Sequence, residues 1–258
     1  MKINDKVEIQ DLYTTDLHMH TSYCDGKNSP EEMVQSAIAK GMTCIGFSGH
    51  SYVKFDDYCG MKKEQADAYF LEILRLKKKY RDQIKIYCGI EQDYFSETRT
   101  SQYDYVIGSL HYLETGTSFA AIDDTPEILD AAVRGFYRGD YYLAAEWYYE
   151  KLASIVQKTG ADIIGHFDLF SKFNQKVHRF DEQNTRYRAA WQRSADHLLK
   201  EKKTFEINTG AISRGWREIP YPAPEMIAYI KNRKGKFLFS SDSHNCENIG
   251  FGFRDLSI

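Results

Sequence analysis

A chain of 258 residues that is 42% hydrophobic and 14% aromatic has ample material for a sizeable core, and one domain over residues 1–258 is expected. A net charge of −3 gives no support for a bulk nucleic-acid or membrane-surface binder. Five cysteines without a C-x-x-C pair argue against a disulfide framework, and no apolar run long enough to span a bilayer occurs, so a cytoplasmic protein away from membranes is expected.

Strand-like and helical segments alternate almost from end to end. Residues 13–18 read as a strand. Ser29-Pro30-Glu31-Glu32 is a helix start, with Ser29 as N-cap, Pro30 in the first turn and two acids complementing the helix dipole. The helix carries Met33, Ala37 and Ile38 at helical spacing and stops at Gly41. Residues 43–47 form a short apolar strand. Residues 62–80 set Phe70, Ile73, Leu74 and Leu76 on one side amid basic residues, as an amphipathic helix does. Residues 84–90 and 105–110 read as strands, and residues 114–124, rich in Gly, Thr, Ser and Asp, as a loop. A helix over 144–158 ends at Gly160, and a strand follows at 162–165. A long helix at 182–202, a strand at 205–208, a helix at 222–231 and a last strand at 237–240 complete the chain. Alternation of this kind implies a mostly parallel sheet, and about seven strands imply a closed or nearly closed barrel.

Of the eight histidines, six sit at or just past the C-terminal end of an expected strand: His18, His20, His50, His111, His166 and His244. In a parallel barrel all those ends open on one face, where active sites form. Carboxylates follow the same rule. Glu91 ends the apolar run Ile86-Tyr87-Cys88-Gly89-Ile90, Asp242 ends the last strand, and Asp25 lies in the loop after the first. Mixed histidine and carboxylate donors suit Zn²⁺, Mn²⁺ or Fe²⁺, and so many donors imply two or three divalent ions with a carboxylate bridging a pair. Asp168 is read as a cap of the polar segment that follows it, ahead of a ligand role.

With these residues assembled, the chain resembles the PHP (polymerase and histidinol phosphatase) family, and within it the histidinol-phosphate phosphatases. The resemblance is carried by Asp16-x-His18-x-His20-Thr21-x-x-x-Asp25-Gly26, Gly46-Phe47-Ser48-Gly49-His50-Ser51, Gly89-Ile90-Glu91-x-Asp93-Tyr94, and Asp104 through Tyr112. Gly165-His166-x-Asp168, Glu206-Ile207-Asn208-Thr209 and Ser241-Asp242-Ser243-His244 complete it. It implies a distorted (β/α)7 TIM-like barrel carrying three metals. It places His18, His20, Glu91 and Asp242 on one ion. Glu91, His111 and His166 fall on a second, and Asp25, His50 and His244 on a third. It also makes Asp16 a group that orients a histidine ring through its other nitrogen. Gly49 stands where relatives often carry Asp, and some relatives carry a histidine near the position of Asp25.

A phosphate ester suits such a site. Metals polarise the phosphoryl oxygens and hold a hydroxide that attacks phosphorus in line. Asp242, His244 and Arg214 are the expected catalytic residues. Arg214 falls in a strand-end loop where the resemblance places a phosphate-binding arginine, and its fork matches phosphate bidentately. Lys172 and Arg217 read as solvated loop charges. Tyr112, Phe119 and Trp216 are aromatic candidates for the rest of a substrate. The resemblance implies a phosphomonoesterase that converts L-histidinol phosphate to L-histidinol and phosphate in histidine biosynthesis, with a small-molecule partner and no nucleic acid. The alternatives are a PHP-type phosphodiesterase or nuclease, which the absence of a basic tract disfavours, and a non-catalytic metal-binding module, which so full a donor set disfavours. An amidohydrolase also uses H-x-H on a first barrel strand, but no strand-end lysine stands ready to bridge its metals.

Overall fold

A computed structural model describes residues 1–56 and 58–256. The elements in chain order are β1 (Thr15–Asp16), α1 (Pro30–Ala39), β2 (Cys44–Phe47), α2 (Lys63–Lys79), β3 (Lys85–Asp93), β4 (Tyr105–Ser109), β5 (Tyr112–Thr115) and β6 (Ser118–Ala121). They continue with α3 (Pro126–Phe136), α4 (Tyr141–Ala153), α5 (Ile155–Thr159), β7 (Ile163–Ile164), α6 (Asn174–Val177) and α7 (Thr185–Lys200). The chain then forms β8 (Thr204–Asn208), α8 (Gly210–Ser213), α9 (Pro224–Asn232) and β9 (Lys236–Ser240). Seven strands make one parallel sheet in the order β1-β2-β3-β4-β7-β8-β9. This is the nearly closed, distorted (β/α)7 barrel expected.

Closure falls beyond the ends of β1 and β9. Met19 bridges Ser243 in parallel, with His20 N donating to Ser243 O at 2.8 Å and Ser243 N to His18 O at 3.2 Å. Asp16 locks this seam. Its buried carboxylate accepts from Ser241 N at 3.2 Å, from the Ser241 hydroxyl, and from Gly250 N at 3.0 Å. The role expected for Asp16, orienting a histidine ring, is therefore corrected. Among the described residues it meets His18 through the backbone N–H, at 3.3 Å, while the ring nitrogen Nδ1 turns to Glu206, because the buried N–H groups at the strand ends take up the Asp16 carboxylate.

Side-chain alternation divides the sheet into two faces. Cys44, Tyr87, Tyr105, Ile107, Ile163 and Leu238 pack with Val7, Ile9 and Leu17 in one apolar cluster at the base of the barrel interior. The intervening residues, such as Ile45, Ile86, Val106, Ile164 and Phe237, join the outer core under the helices. Tyr105 spans the interior, its hydroxyl donating to Leu17 O and, at 3.3 Å, to Phe47 O. Glycine at 89 makes room for its ring, since a Cβ there would lie 2.3 Å from Tyr105 Cζ. Gly89→Ala is accordingly expected to destabilise the protein by about 1–3 kcal/mol, the usual cost of overpacking. Denaturant unfolding of the variant measures this.

Three expectations need correction. Residues 114–124 are not a loop: β5 and β6 form an antiparallel hairpin with Tyr112 opposite Ala121, its polar composition reflecting a ribbon whose second strand is only half-buried. A further helix, α3, which the expected elements do not include, is opened by the Thr125 cap and Pro126. The helix over 144–158 starts earlier and is two helices, because the chain breaks at Ser154 before ending on left-handed Gly160. No helix among the described residues is long and apolar enough to cross a membrane.

Candidate metal centre

Above the apolar base, the same inward face turns polar. Glu91 on β3, Ser109 on β4, Glu206 and Asn208 on β8 and Ser240 on β9 are all buried there. Glu91 is the hub. Its Oε2 lies 3.2 Å from His18 Nε2, 3.5 Å from His20 Nε2 and 2.9 Å from His50 Nδ1. Its Oε1 lies 3.3 Å from His111 Nε2 and 2.9 Å from His166 Nε2, and takes a hydrogen bond from Ser109 Oγ at 2.6 Å. Asp242, held at a left-handed φ of 50°, stands with Oδ1 3.3 Å from His20 Nε2 and 3.7 Å from His18 Nε2. At the outer rim, Asp25 Oδ2 is 3.1 Å from His244 Nε2 and 3.7 Å from His50 Nε2. The fold thus brings all nine expected ligands into one continuous cluster.

Their donor atoms gather into overlapping groups: His20, Asp25, His50 and His244; His18, His20 and Asp242; His18, Glu91 and His166; His50, Glu91 and His111. The fit to metal is chemical as well as spatial. His18 Nε2, His20 Nε2 and Glu91 Oε2 are buried without a hydrogen-bond partner, a costly arrangement unless a cation receives their lone pairs. Burial, with His244 and His50 nearby, pushes His20 down to about 3, so it presents the neutral ring that ligates metals. Burial would lower His50 too, but Glu91 and Asp25 hold it at about 9. Glu91 and Asp242 sit well below the ordinary carboxylate range. Burial opposes their ionisation, but histidines around the first, and Arg214 and His18 beside the second, outweigh it. Because these donors converge only in the folded chain, chelation is expected to lower unfolding free energy. With free metal at roughly 100 to 1,000 times its Kd, the loss is about 3–4 kcal/mol. Calorimetric melting with and without chelator measures it.

Groups behind the ligands orient them. Glu206 Oε1 takes His18 Nδ1 at 2.7 Å, while its Oε2 takes His166 N at 3.0 Å and Asn208 Nδ2 at 3.2 Å. Asp93 Oδ2 takes both the backbone N and Nδ1 of His111, each at 3.1 Å. Both acids lie within the motifs that carry the resemblance, where their local sequence points to no partner. Glu206, between Phe205 and Ile207, is like Glu91 a carboxylate set against apolar strand residues, and that pattern marks it. Gly49 backs onto Met61 and Cys24: a Cβ there would lie 3.1 Å from Met61 Cε and 3.3 Å from Cys24 Sγ, so a larger residue at this position would require both side chains to shift.

Arg214 stands at the edge of the cluster, Nη2 donating to Asp242 Oδ2 at 2.9 Å and Nη1 to Asp242 O at 3.0 Å. Gly210 permits this, since a Cβ there would lie 2.7 Å from Arg214 Nη2 and 2.8 Å from Asp242 Cβ. Arg217 and Lys172 are not solvated loop charges. Arg217 is buried, both Nη atoms 3.2 Å from Asp168 Oδ2. Asp168 accordingly neither joins the metal groups nor caps by side chain the turn that follows it; it neutralises Arg217. Lys172 is nearly buried on the wall of a cavity of about 800 Å³ that opens over the metal ligands. Tyr112 and Phe119 line the same cavity, whereas Trp216 packs edge-on against Phe173, at 4.8 Å, and borders a separate cleft.

Comparison with known proteins places this geometry. The PHP domain model matches residues 16–210. A Deinococcus radiodurans protein named "Probable histidinol-phosphatase" is 28% identical over 93% of this chain and 90% of its own length. A Listeria monocytogenes crystal structure superposes with a TM-score of 0.81 at 23% identity, covering 94% of this chain and all 100% of that one. The Lactococcus lactis histidinol phosphate phosphatase, solved with zinc, L-histidinol and phosphate, superposes with a TM-score of 0.69 at 21% identity, over 95% and 91% of the two chains. The chain belongs to the PHP domain family.

Proposed function

We propose that this PHP-domain protein is a metal-dependent phosphomonoesterase that hydrolyses L-histidinol phosphate to L-histidinol and phosphate, a step of histidine biosynthesis. One observation carries the reaction class: five imidazoles converge on the single buried carboxylate Glu91, with partnerless nitrogens and oxygen pointing into the cluster. The name of the Deinococcus relative and the L-histidinol and phosphate bound by the Lactococcus protein support the substrate.

In this reading His18, His20, Glu91 and Asp242 hold one divalent ion. Glu91, His111 and His166 hold a second, and Asp25, His50 and His244 a third. Zinc, manganese and iron all suit these donors. When bound, such ions supply Lewis acidity toward phosphoryl oxygens and bring the pKa of coordinated water towards neutrality.

The chain's own groups do the rest. Arg214 keeps two N–H bonds on Asp242 and turns its partly exposed fork to the cavity, where it binds and orients the phosphate. Lys172 adds a second cation to the lining of the same cavity. Glu206 and Asp93 hold the His18 and His111 rings at fixed tilt, so the ligand geometry costs no reorganisation during turnover. Complete burial of His18 and His20 keeps bulk water from the inner side of the cluster. Residues 1–258 act as one catalytic domain, and the five free thiols fit the reducing cytoplasm.

The test is turnover of L-histidinol phosphate by metal-loaded protein, its loss on chelation and its return with zinc or manganese. Intact activity in Asp242→Asn and His20→Ala would refute the ligand assignment.

A further inference from the structure

The β5–β6 hairpin builds the side of the cavity that faces the metal ligands. β5 begins directly after His111, and the pairing continues one step beyond β6, with Ile122 N donating to His111 O at 2.9 Å. The return strand therefore brings Asp123 back beside His111, since adjacent strands run about 4.8 Å apart. Asp123 is half-buried and borders the cavity. Lys172 Nζ makes its close bond, 2.5 Å, to the Asp123 main-chain carbonyl and stands 3.5 Å from the carboxylate Oδ2. The carboxylate keeps acceptor capacity towards the cavity.

The same wall carries flat apolar surface. Phe119 stacks on Phe55 with ring centroids 3.8 Å apart and planes 10° apart, and Tyr112 meets Phe55 edge-on at 4.9 Å. Phe55 is 41% exposed, a large aromatic ring left open at the cavity mouth.

We propose that Asp123 determines specificity by receiving the ammonium group of an amino-alcohol phosphate, whose phosphate meets the metal ligands and Arg214 and whose flat heteroaromatic group lies on Phe55 and Phe119. This rests on the phosphomonoesterase reading and adds the amine to it. In such an ester the ammonium stands two carbons from the ester oxygen, so its acceptor must sit close to the metal ligands. Asp123 does; Asp124 is exposed. Asp56 is already satisfied by the Tyr112 hydroxyl and the backbone N–H groups of Tyr58 and Cys59.

The experiment measures kcat and KM of metal-loaded wild type and Asp123→Asn on L-histidinol phosphate, its N-acetyl derivative, O-phosphoethanolamine and ethyl phosphate. Loss of one charged hydrogen bond predicts a kcat/KM about 10- to 150-fold lower for the amino esters in the variant, expressed mainly in KM, with ethyl phosphate changed less than about threefold. Wild type is expected to lose a similar factor on N-acetylation, a comparison that requires no variant to fold. Equal losses on ethyl phosphate, or indifference of wild type to the amine, overturn the proposal. Failure of wild type on every ester overturns the phosphomonoesterase reading instead. Calorimetric binding of O-phosphoethanolamine against ethyl phosphate then still decides the role of Asp123.

Discussion

Glu91→Gln is expected to lower kcat on L-histidinol phosphate by about a thousandfold, because metal ions contribute several kcal/mol of transition-state stabilisation and the proposed ligand assignment shares this residue between two of them. The substitution is nearly isosteric, so the barrel survives. What changes is charge: one oxygen that faces His18, His20 and His50 and another that faces His111 and His166 can no longer both serve as anionic donors. Elemental analysis of the purified variant is expected to find fewer bound ions than in wild type. Full metal content with full activity would remove Glu91 from the centre of the site.

Glu206→Ala is expected to destabilise the metal-free protein by about 3–5 kcal/mol, the cost of removing one partner from a buried pair. Three donors lose their acceptor at once: His18 Nδ1, His166 N and Asn208 Nδ2. Glu206→Gln separates the two parts of this role. It retains an oxygen acceptor, so most of the stability returns, but it no longer draws the His18 proton. Metal affinity is then expected to fall about 10- to 100-fold, as when other groups behind metal ligands are removed. Denaturant unfolding without metal and metal titration by calorimetry measure the two effects separately. A Glu206→Ala protein with wild-type stability would contradict the pairing.

The two substitutions also mark how far the sequence was legible. Glu91 was found from its position alone, at the end of an apolar strand in a chain whose histidines fall at other strand ends. Glu206 has the same local signature, yet its function depends on His18, 188 residues earlier. The Arg217–Asp168 pair and Lys172 are illegible in the sequence for a related reason. Local polarity suggested solvent, and only packing of the loops after β7 and β8 buries them. The β5–β6 hairpin has the composition of a loop, and its pairing is settled by the partner strand and by Phe55 stacking on Phe119.

By itself the sequence determined the alternation of elements, the parallel sheet and the strand ends at which ligands stand, since these follow from local backbone periodicity and from the shared direction of parallel strands. Tertiary structure alone decided which ligand faces which carboxylate, which acids orient rings and which charges neutralise each other. Those relations are distances between residues far apart in the chain, and the ones that set His18 and His20 beside Asp242 exist only once the Met19–Ser243 seam brings the first and last strands together.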